Sequence, residues 1–308
     1  MKKRTNKTRN FLKADSFFYY YIFLFPIVII INFFVYLAQP VLTKPLFFMS
    51  VKNLSLQKPV PSNLYPFEWN KKIDVRMTEG VSNGMVFHGD RSKKMIALTF
   101  DADMTSGMAD MLRNGYMQSL YDERLIDVLR ESQTPATLFV TGMWAEMYPS
   151  ETQELANDPL FELGSHSYAH MAYTNDCFGL ETISPDEKIQ DIGTSQFLIQ
   201  KYTGKKTKLF RFPGGCYSFE DIILLRTAGM TPVQWDVVAN DGFNPNPDEI
   251  LSNIVSRVKN GSIIVMHMNG FPNEPVDYIV VPEVIKILRE RGFEFVTVSR
   301  LLQDDRLY

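Results

Sequence analysis

From Met95 onward the chain sets short apolar runs against helical patterns, and several runs stop abruptly in charged or metal-binding residues. That alternation is the mark of parallel β/α architecture, because each strand needs a crossover that lays a helix on the sheet. Met95–Phe100, Ala136–Thr141, Phe161–Gly164, Leu209–Phe212, Thr231–Trp235, Ser262–His267 and Phe293–Val298 read as strands. Glu123–Glu131 reads as a helix with Leu125, Ile126, Val128 and Leu129 apolar. Ser184-Pro185-Asp186-Glu187 and Asn246-Pro247-Asp248-Glu249 each join a capping residue to a first-turn proline, and start helices that end near Gly204 and Gly261. A last helix is expected from Val281-Pro282 to Gly292. This makes roughly six or seven β/α units.

The polar residues fall in one place on that pattern. Asp101, Asp103, His166, Arg211, Asp241 and His267 all lie at or just after the C-terminal ends of expected strands, which in a parallel barrel is the catalytic face. An apolar strand ending in Asp101 and Asp103 asks for a cation or a catalytic role, because buried carboxylates are costly unless paired or metal-bound. Neighbouring side chains on a strand point oppositely. Asp103 is expected to reach a metal only where the chain has bent into the loop Met104-Thr105-Ser106-Gly107. His166 and His170, four apart, are expected on one face of a helical turn, where they share a cation with a carboxylate and leave positions for water. Arg211 precedes Pro213-Gly214-Gly215; its guanidinium suits a forked hold on a carboxylate, and the glycines admit a ligand close to the backbone. Asp241 reads either as a member of this set or as the first residue of an Asp-Gly turn. His88 reads as a solvated or structural residue and Asp236 as a structural one.

Ahead of this lies a different kind of sequence. Phe17–Ala38 runs about 22 residues without a charge, long enough to cross the roughly 30 Å of a bilayer's hydrocarbon core. Six basic residues against Asp15 give residues 1–15 a charge of +5, which keeps them cytoplasmic. A cleaved signal peptide would have a shorter apolar core and a small-residue cleavage site, which Tyr36-Leu37-Ala38-Gln39 does not supply. The expected organisation is a basic tail over 1–15, a transmembrane signal anchor over 16–38, a proline-bearing extracytoplasmic stalk over 39–90 and a catalytic domain over 91–308. Removing the tail from the net −3 leaves −8, which argues against a nucleic-acid partner. Cys177 and Cys216 are too few for a disulfide scaffold and read either as one bridge or as two buried thiols.

Five segments in order, Thr99-Phe100-Asp101-Ala102, His166-Ser167-Tyr168-Ala169-His170, Arg211-Phe212-Pro213-Gly214-Gly215, Val238 to Gly242, and Val265-Met266-His267, resemble the motifs of the polysaccharide deacetylase (NodB-homology) family, carbohydrate esterase family 4. The resemblance covers roughly Lys94 to Leu302 and implies an α/β fold, a distorted (β/α)7 barrel with parallel strands. It implies Asp101 as general base, His166 and His170 as metal ligands with Asp103, and Arg211 as the group that holds Asp101. Asp241 would orient His267, the general acid, and backbone N–H near Gly214 would serve the oxyanion. The implied cofactor is one divalent ion, zinc by default, with cobalt, nickel or iron fitting the same ligands. The implied substrate is an acetylated amino-sugar polysaccharide such as peptidoglycan, chitin-like polymer or poly-N-acetylglucosamine, which loses N-acetyl groups. The chain departs from the family in four places. The metal carboxylate is one position late, with Ala102 where the family has Asp, the fourth motif lacks its first Asp (Val238) and its aromatic (Gly242), and the fifth has Val265 for Leu, a mild change. The rival readings are an O-deacetylase and a catalytically inactive glycan-binding barrel.

Overall fold

The computed structural model describes residues 81–269 and 276–303. The expected tail, anchor and the stalk up to residue 80 lie outside them; among the described residues no helix is long and apolar enough to cross a membrane. Residues 81–90 of the expected stalk are described. Strands β1 (Val81–Ser82) and β2 (Met85–Val86) form a hairpin whose Met85 and Val86 are buried, and Val86 bridges to Val233. His88 bridges to Ser262 and its Nδ1 lies 2.8 Å from the Gly89 carbonyl, a structural placement.

Strand β3 (Met95–Ala102) is followed by α1 (Ser106–Arg113) and α2 (Glu123–Glu131). Next come β4 (Ala136–Val140), α3 (Gly142–Met147), α4 (Pro149–Asn157) and β5 (Phe161–Ser165). A long loop leads to α5 (Lys188–Thr203), then β6 (Leu209–Phe210), α6 (Phe219–Thr227), β7 (Thr231–Pro232) and β8 (Val237–Val238). The chain ends with α7 (Pro247–Val255), β9 (Ile263–His267), α8 (Asp277–Glu290), β10 (Glu294–Phe295) and α9 (Val298–Leu302).

Seven parallel strands run β7-β6-β5-β4-β3-β9-β8, and β10 adds to the first residues of β3. This is the expected parallel α/β architecture, curled and left without a strand pairing between β7 and β8. Side chains alternate across β3, as the pleat requires. Leu98, Phe100 and Ala102 join the core beneath the helices, including Leu125, Trp144, Ile254 and Val284. Ala97 joins Phe139, Leu209, Val233 and Ile263 in a second cluster. Asp101 and Asp103 continue the Ala97–Thr99 face. Registration then brings Asp101 level with His267 on β9 and Phe139 on β4.

Local chemistry explains most boundaries. Helix α2 coincides with its expected span, capped by Asp122, whose carboxylate accepts from the Arg124 backbone N–H. Asn246 caps α7 through the N–H groups of Asp248 and Glu249. Two expectations were displaced. Helix α8 starts at Asp277, with Pro282 inside it, because the buried stripe Val280, Val281, Val284, Ile285 and Leu288 runs through the proline. Burying that stripe outweighs one lost backbone bond. The expected terminal strand over 293–298 is only β10, because Thr297 caps α9 through the N–H of Arg300.

Candidate active site

Strand β3 is hydrogen-bonded through Ala102, and Asp103 sits in the loop just past it. That bend carries Asp103 to the histidines. Its Oδ1 lies 3.4 Å from His166 Nε2 and 3.3 Å from His170 Nε2. The histidines do not ride a helical turn as expected. Residues 166–170 are irregular, with Ser167 and His170 in the left-handed region at φ 68° and 56°. Ser167 Oγ accepts from the His170 N–H, which fixes the turn, and the two rings meet with centroids 5.0 Å apart. Non-glycine residues with such φ values mark strain that a functional site can exploit.

Each member of the set is oriented by a partner. His166 Nδ1 lies 2.9 Å from the Arg211 carbonyl. A carbonyl can only accept, so Nδ1 carries the hydrogen and Nε2 is left with a lone pair facing Asp103 and His170. Arg211 is fully buried, its guanidinium 4.0 Å from the Phe139 ring centroid and 5.4 Å from that of Trp235. Its Nη1 donates to Asp101 Oδ1 at 2.6 Å and its Nη2 to the Gln234 carbonyl. Asp101 Oδ2 is 3.7 Å from His166 Nε2. On the other side, Asp241 Oδ2 accepts from the His267 backbone N–H at 2.6 Å and lies 3.0 Å from its Nδ1, leaving Nε2 to face Asp103 Oδ2 at 4.0 Å. Asp241 is therefore no mere turn residue.

Electrostatics sorts these groups. Burial opposes ionisation of Asp103, but the neighbouring imidazoles of His170, His166 and His267 hold it far below the usual carboxylate range. Burial pulls His170 down to about 4, with His166 and His267 adding to the fall against Asp103, so its imidazole is neutral near pH 7. His166 and His267 go the other way. Burial opposes their charge, but it is outweighed at His166 chiefly by Asp101 and Asp103, and at His267 chiefly by Asp241.

Asp103, His166 and His170 offer ligand atoms within 4.8 Å of one another. Buried Asp103 Oδ1 has no hydrogen-bond donor among the described residues. One carboxylate oxygen and two imidazole nitrogens, converging on a common space, fit a divalent cation with open positions.

Gly214, at φ 60°, belongs to a 3-10 turn over Pro213–Gly215. A Cβ there would meet Cys177 Sγ at 2.7 Å, so only glycine fits without displacement. Cys177 and Cys216 are joined in a disulfide, tying the loop after β5 to the loop after β6. Phe178 and Phe243 project from the loops after β5 and β8 as exposed rings 5.9 Å apart. Neighbouring Gly242 packs against His267, whose ring lies 2.9 Å from where a Cβ would stand.

The structure thus brings together Asp101, Asp103, His166, His170, Arg211, Asp241 and His267. Asp236 stands apart from that set, bonding Arg91 Nη2 at 2.7 Å and the Ile263 N–H. Two buried acids escaped sequence reasoning. Asp191 on α5 accepts from the Tyr168 N–H and the Tyr173 hydroxyl beneath the histidine loop. Asp277 lies behind Asp241. An acid near a helix start carries no local signal of either placement.

Comparison with known proteins agrees with this geometry. Residues 88–233 match the family model described as polysaccharide deacetylase. The peptidoglycan-N-acetylglucosamine deacetylase of Bacillus cereus is 27% identical over 217 residues, covering 69% of this chain and 90% of the relative. Peptidoglycan deacetylase PdaC from Bacillus subtilis, a solved structure, is 26% identical over 69% of this chain and 91% of that one, with a TM-score of 0.53. A mutant of a Bacillus anthracis family 4 carbohydrate esterase pseudoenzyme, with restored activity, is 25% identical over 73% of each chain, with a TM-score of 0.58. The family match falls on the segments that carry Asp101, Asp103, His166, His170 and Arg211, so over residues 88–233 the chain is similar to the polysaccharide deacetylase family.

Proposed function

We propose that this protein is a metal-dependent hydrolase that removes N-acetyl groups from an amino-sugar polysaccharide. The observation that carries the reading is the three-sided arrangement itself. The Asp103–His166–His170 donor set lies between Asp101, held by Arg211, and His267, held by Asp241. A divalent ion bound there, zinc by default with cobalt, nickel or iron as alternatives, supplies Lewis acidity toward an acetyl carbonyl and a water. Asp101, held by Arg211, takes the water's proton. His267, protonated at Nε2 while Asp241 holds Nδ1–H, delivers a proton to the departing amine. Backbone near Gly214 is the candidate oxyanion contact. Phe178 and Phe243 offer exposed apolar surface beside His267, of the kind that marks ligand grooves.

The carboxylate shift from residue 102 to 103 leaves the donor set intact in space, which favours an enzyme over an inactive glycan-binding barrel. The relatives' substrates support peptidoglycan or chitin-like oligomers as the substrate class. The charge-free run Phe17–Ala38 behind a basic tail supports a single-pass anchor with the catalytic domain extracytoplasmic, and a disulfide suits that oxidising side.

The test is acetate release from peptidoglycan and N-acetylglucosamine oligomers by chelated protein before and after zinc addition, beside metal titration of Asp103→Ala and His170→Ala. The expected result is one tightly held ion, weakened in both variants, and zinc-dependent acetate release lost in Asp101→Asn. Tight metal binding without release from these polymers, but with release from O-acetylated ones, would make it an O-deacetylase. Oligomer binding without any hydrolysis would make it a binding barrel.

A further inference from the structure

Asp277 has no part in the chemistry set out above, yet it is one of the most confined charges in the fold. It opens α8, is 1% exposed, and neither carboxyl oxygen meets a hydrogen-bond donor among the described residues. It does not cap its helix: the capping position is Val276, which makes no side-chain cap bond. Asp241 is just as buried. Its Oδ2 takes both bonds from His267, while its Oδ1 has no donor among the described residues. The two carboxyl groups lie within hydrogen-bonding reach of each other.

Two ionised carboxylates would repel in this setting and leave three oxygens unsatisfied, at the full desolvation cost of each. One proton between them resolves the conflict, since a protonated acid gains an O–H donor. Its location follows from the neighbours. Asp241 accepts from the ring N–H and backbone N–H of His267, whereas Asp277, among the described residues, meets no donor and has Asp241 and Asp122 as acidic neighbours.

We propose that Asp277 is a positioning residue that, as a neutral acid, donates its O–H to Asp241 Oδ1 and thereby fixes Asp241 and, through it, His267. This rests on His267 acting as the general acid. Asp241 then accepts three hydrogen bonds, from His267 N, His267 Nδ1 and Asp277, so its carboxylate is locked in plane. The other titratable groups around Asp277 agree with the neutral form. Burial and the charge of Asp241 push it well above the usual carboxylate range; Asp122, on the cap of α2, pushes the same way, and His267 from the end of β9 opposes. Asp122 is itself engaged by Arg124, whose guanidinium lies over the Tyr278 ring, so that cation is already paired.

Two measurements test this. The first is infrared difference spectroscopy of the metal-free protein at about pH 8, where Asp191, pushed up only to about 6, is ionised. A protonated-carboxyl C=O band present in wild type and lost in Asp277→Asn supports the shared proton; its absence from wild type, or its survival in that variant, overturns the proposal. The second is acetate release from N-acetylglucosamine oligomers by the zinc-loaded protein. Loss of one hydrogen bond to a charged group should cost Asp277→Ala and Asp277→Leu about tenfold or more in kcat, with KM moved less than about twofold. Asp277→Asn, which still offers an N–H to Asp241, should recover most of that rate. Unchanged kcat in Asp277→Ala, or Asp277→Asn as impaired as Asp277→Ala while equally folded, overturns the proposal. A wild type that releases no acetate would sink the deacetylase reading, while the infrared band would still decide on the shared proton.

Discussion

Arg211 and Asp101 form a pair whose members are buried at 0% and 4% exposure, so removing one strands the other away from water. Arg211→Met keeps much of the side-chain volume between Phe139 and Trp235 but leaves Asp101 without its 2.6 Å donor. Breaking a buried pair by removing one partner costs about 3–5 kcal/mol, because an uncompensated charge remains. Asp101→Asn should be destabilising for the mirror reason, leaving a guanidinium among aromatic rings. The double variant carries neither charge, so its cost should fall well below the sum of the two. The expected coupling is several kcal/mol, of the size that about 4 kcal/mol at an effective dielectric of 20 suggests for a close pair. The assay is equilibrium urea unfolding of wild type, both single variants and the double variant, with chelator present so that metal binding does not enter the cycle. Additive single losses, or an Arg211→Met cost below about 1 kcal/mol, would show that water reaches Asp101 and that the pair is not the buried clamp described above.

Two further outcomes follow from groups outside the reacting set. Burial raises Asp191 to about 6 from an ordinary 3.8, against the bonds from Tyr173 and Tyr168, so the folded state holds its proton more tightly than the unfolded chain. That stabilisation is fully present below about pH 4 and is lost as pH rises through about 6, which corresponds to about 3 kcal/mol at 1.36 kcal/mol per pKa unit. Unfolding free energies across that window should show the slope in wild type and lose it in Asp191→Asn. Reducing Cys177–Cys216, which are 39 positions apart, should cost up to about 4 kcal/mol by loop entropy, read as a lower denaturation midpoint.

The legible parts of this molecule were those decided locally. Asp122 and Asn246 announce helix starts, and the apolar run of β3 ending in carboxylates marks both the central strand and the centre of the site. Where packing at a distance decides, sequence reading went astray. Pro282 looked like a helix start because the buried stripe that carries α8 through it is visible only once the helix is docked. The histidines were expected on a helical turn because spacing of four suggests one, whereas Ser167 and His170 reach the same proximity through left-handed backbone. The short β8 was hidden inside the fourth motif, since two residues show no periodicity. Asp277 was overlooked for a different reason: its partner Asp241 lies on another loop, and a lone acid at a helix start is ordinary.

The placement of Asp101 on β3 has a consequence for how the protein breathes. β3 is flanked on both long sides by β4 and β9, and its first residues also hold β10. Local opening begins at frayed ends and exposed loops, not in a strand that is bonded on both sides. Asp101, and His267 level with it on the adjoining strand, can therefore be separated only by an event that takes apart the middle of the sheet. Phe178 and Phe243 project as exposed rings from loops beyond the strand ends, so a change at those rims need not alter that distance. Under the proposed function, the base and the acid of the reaction would keep a fixed separation whatever the loops at the strand ends do.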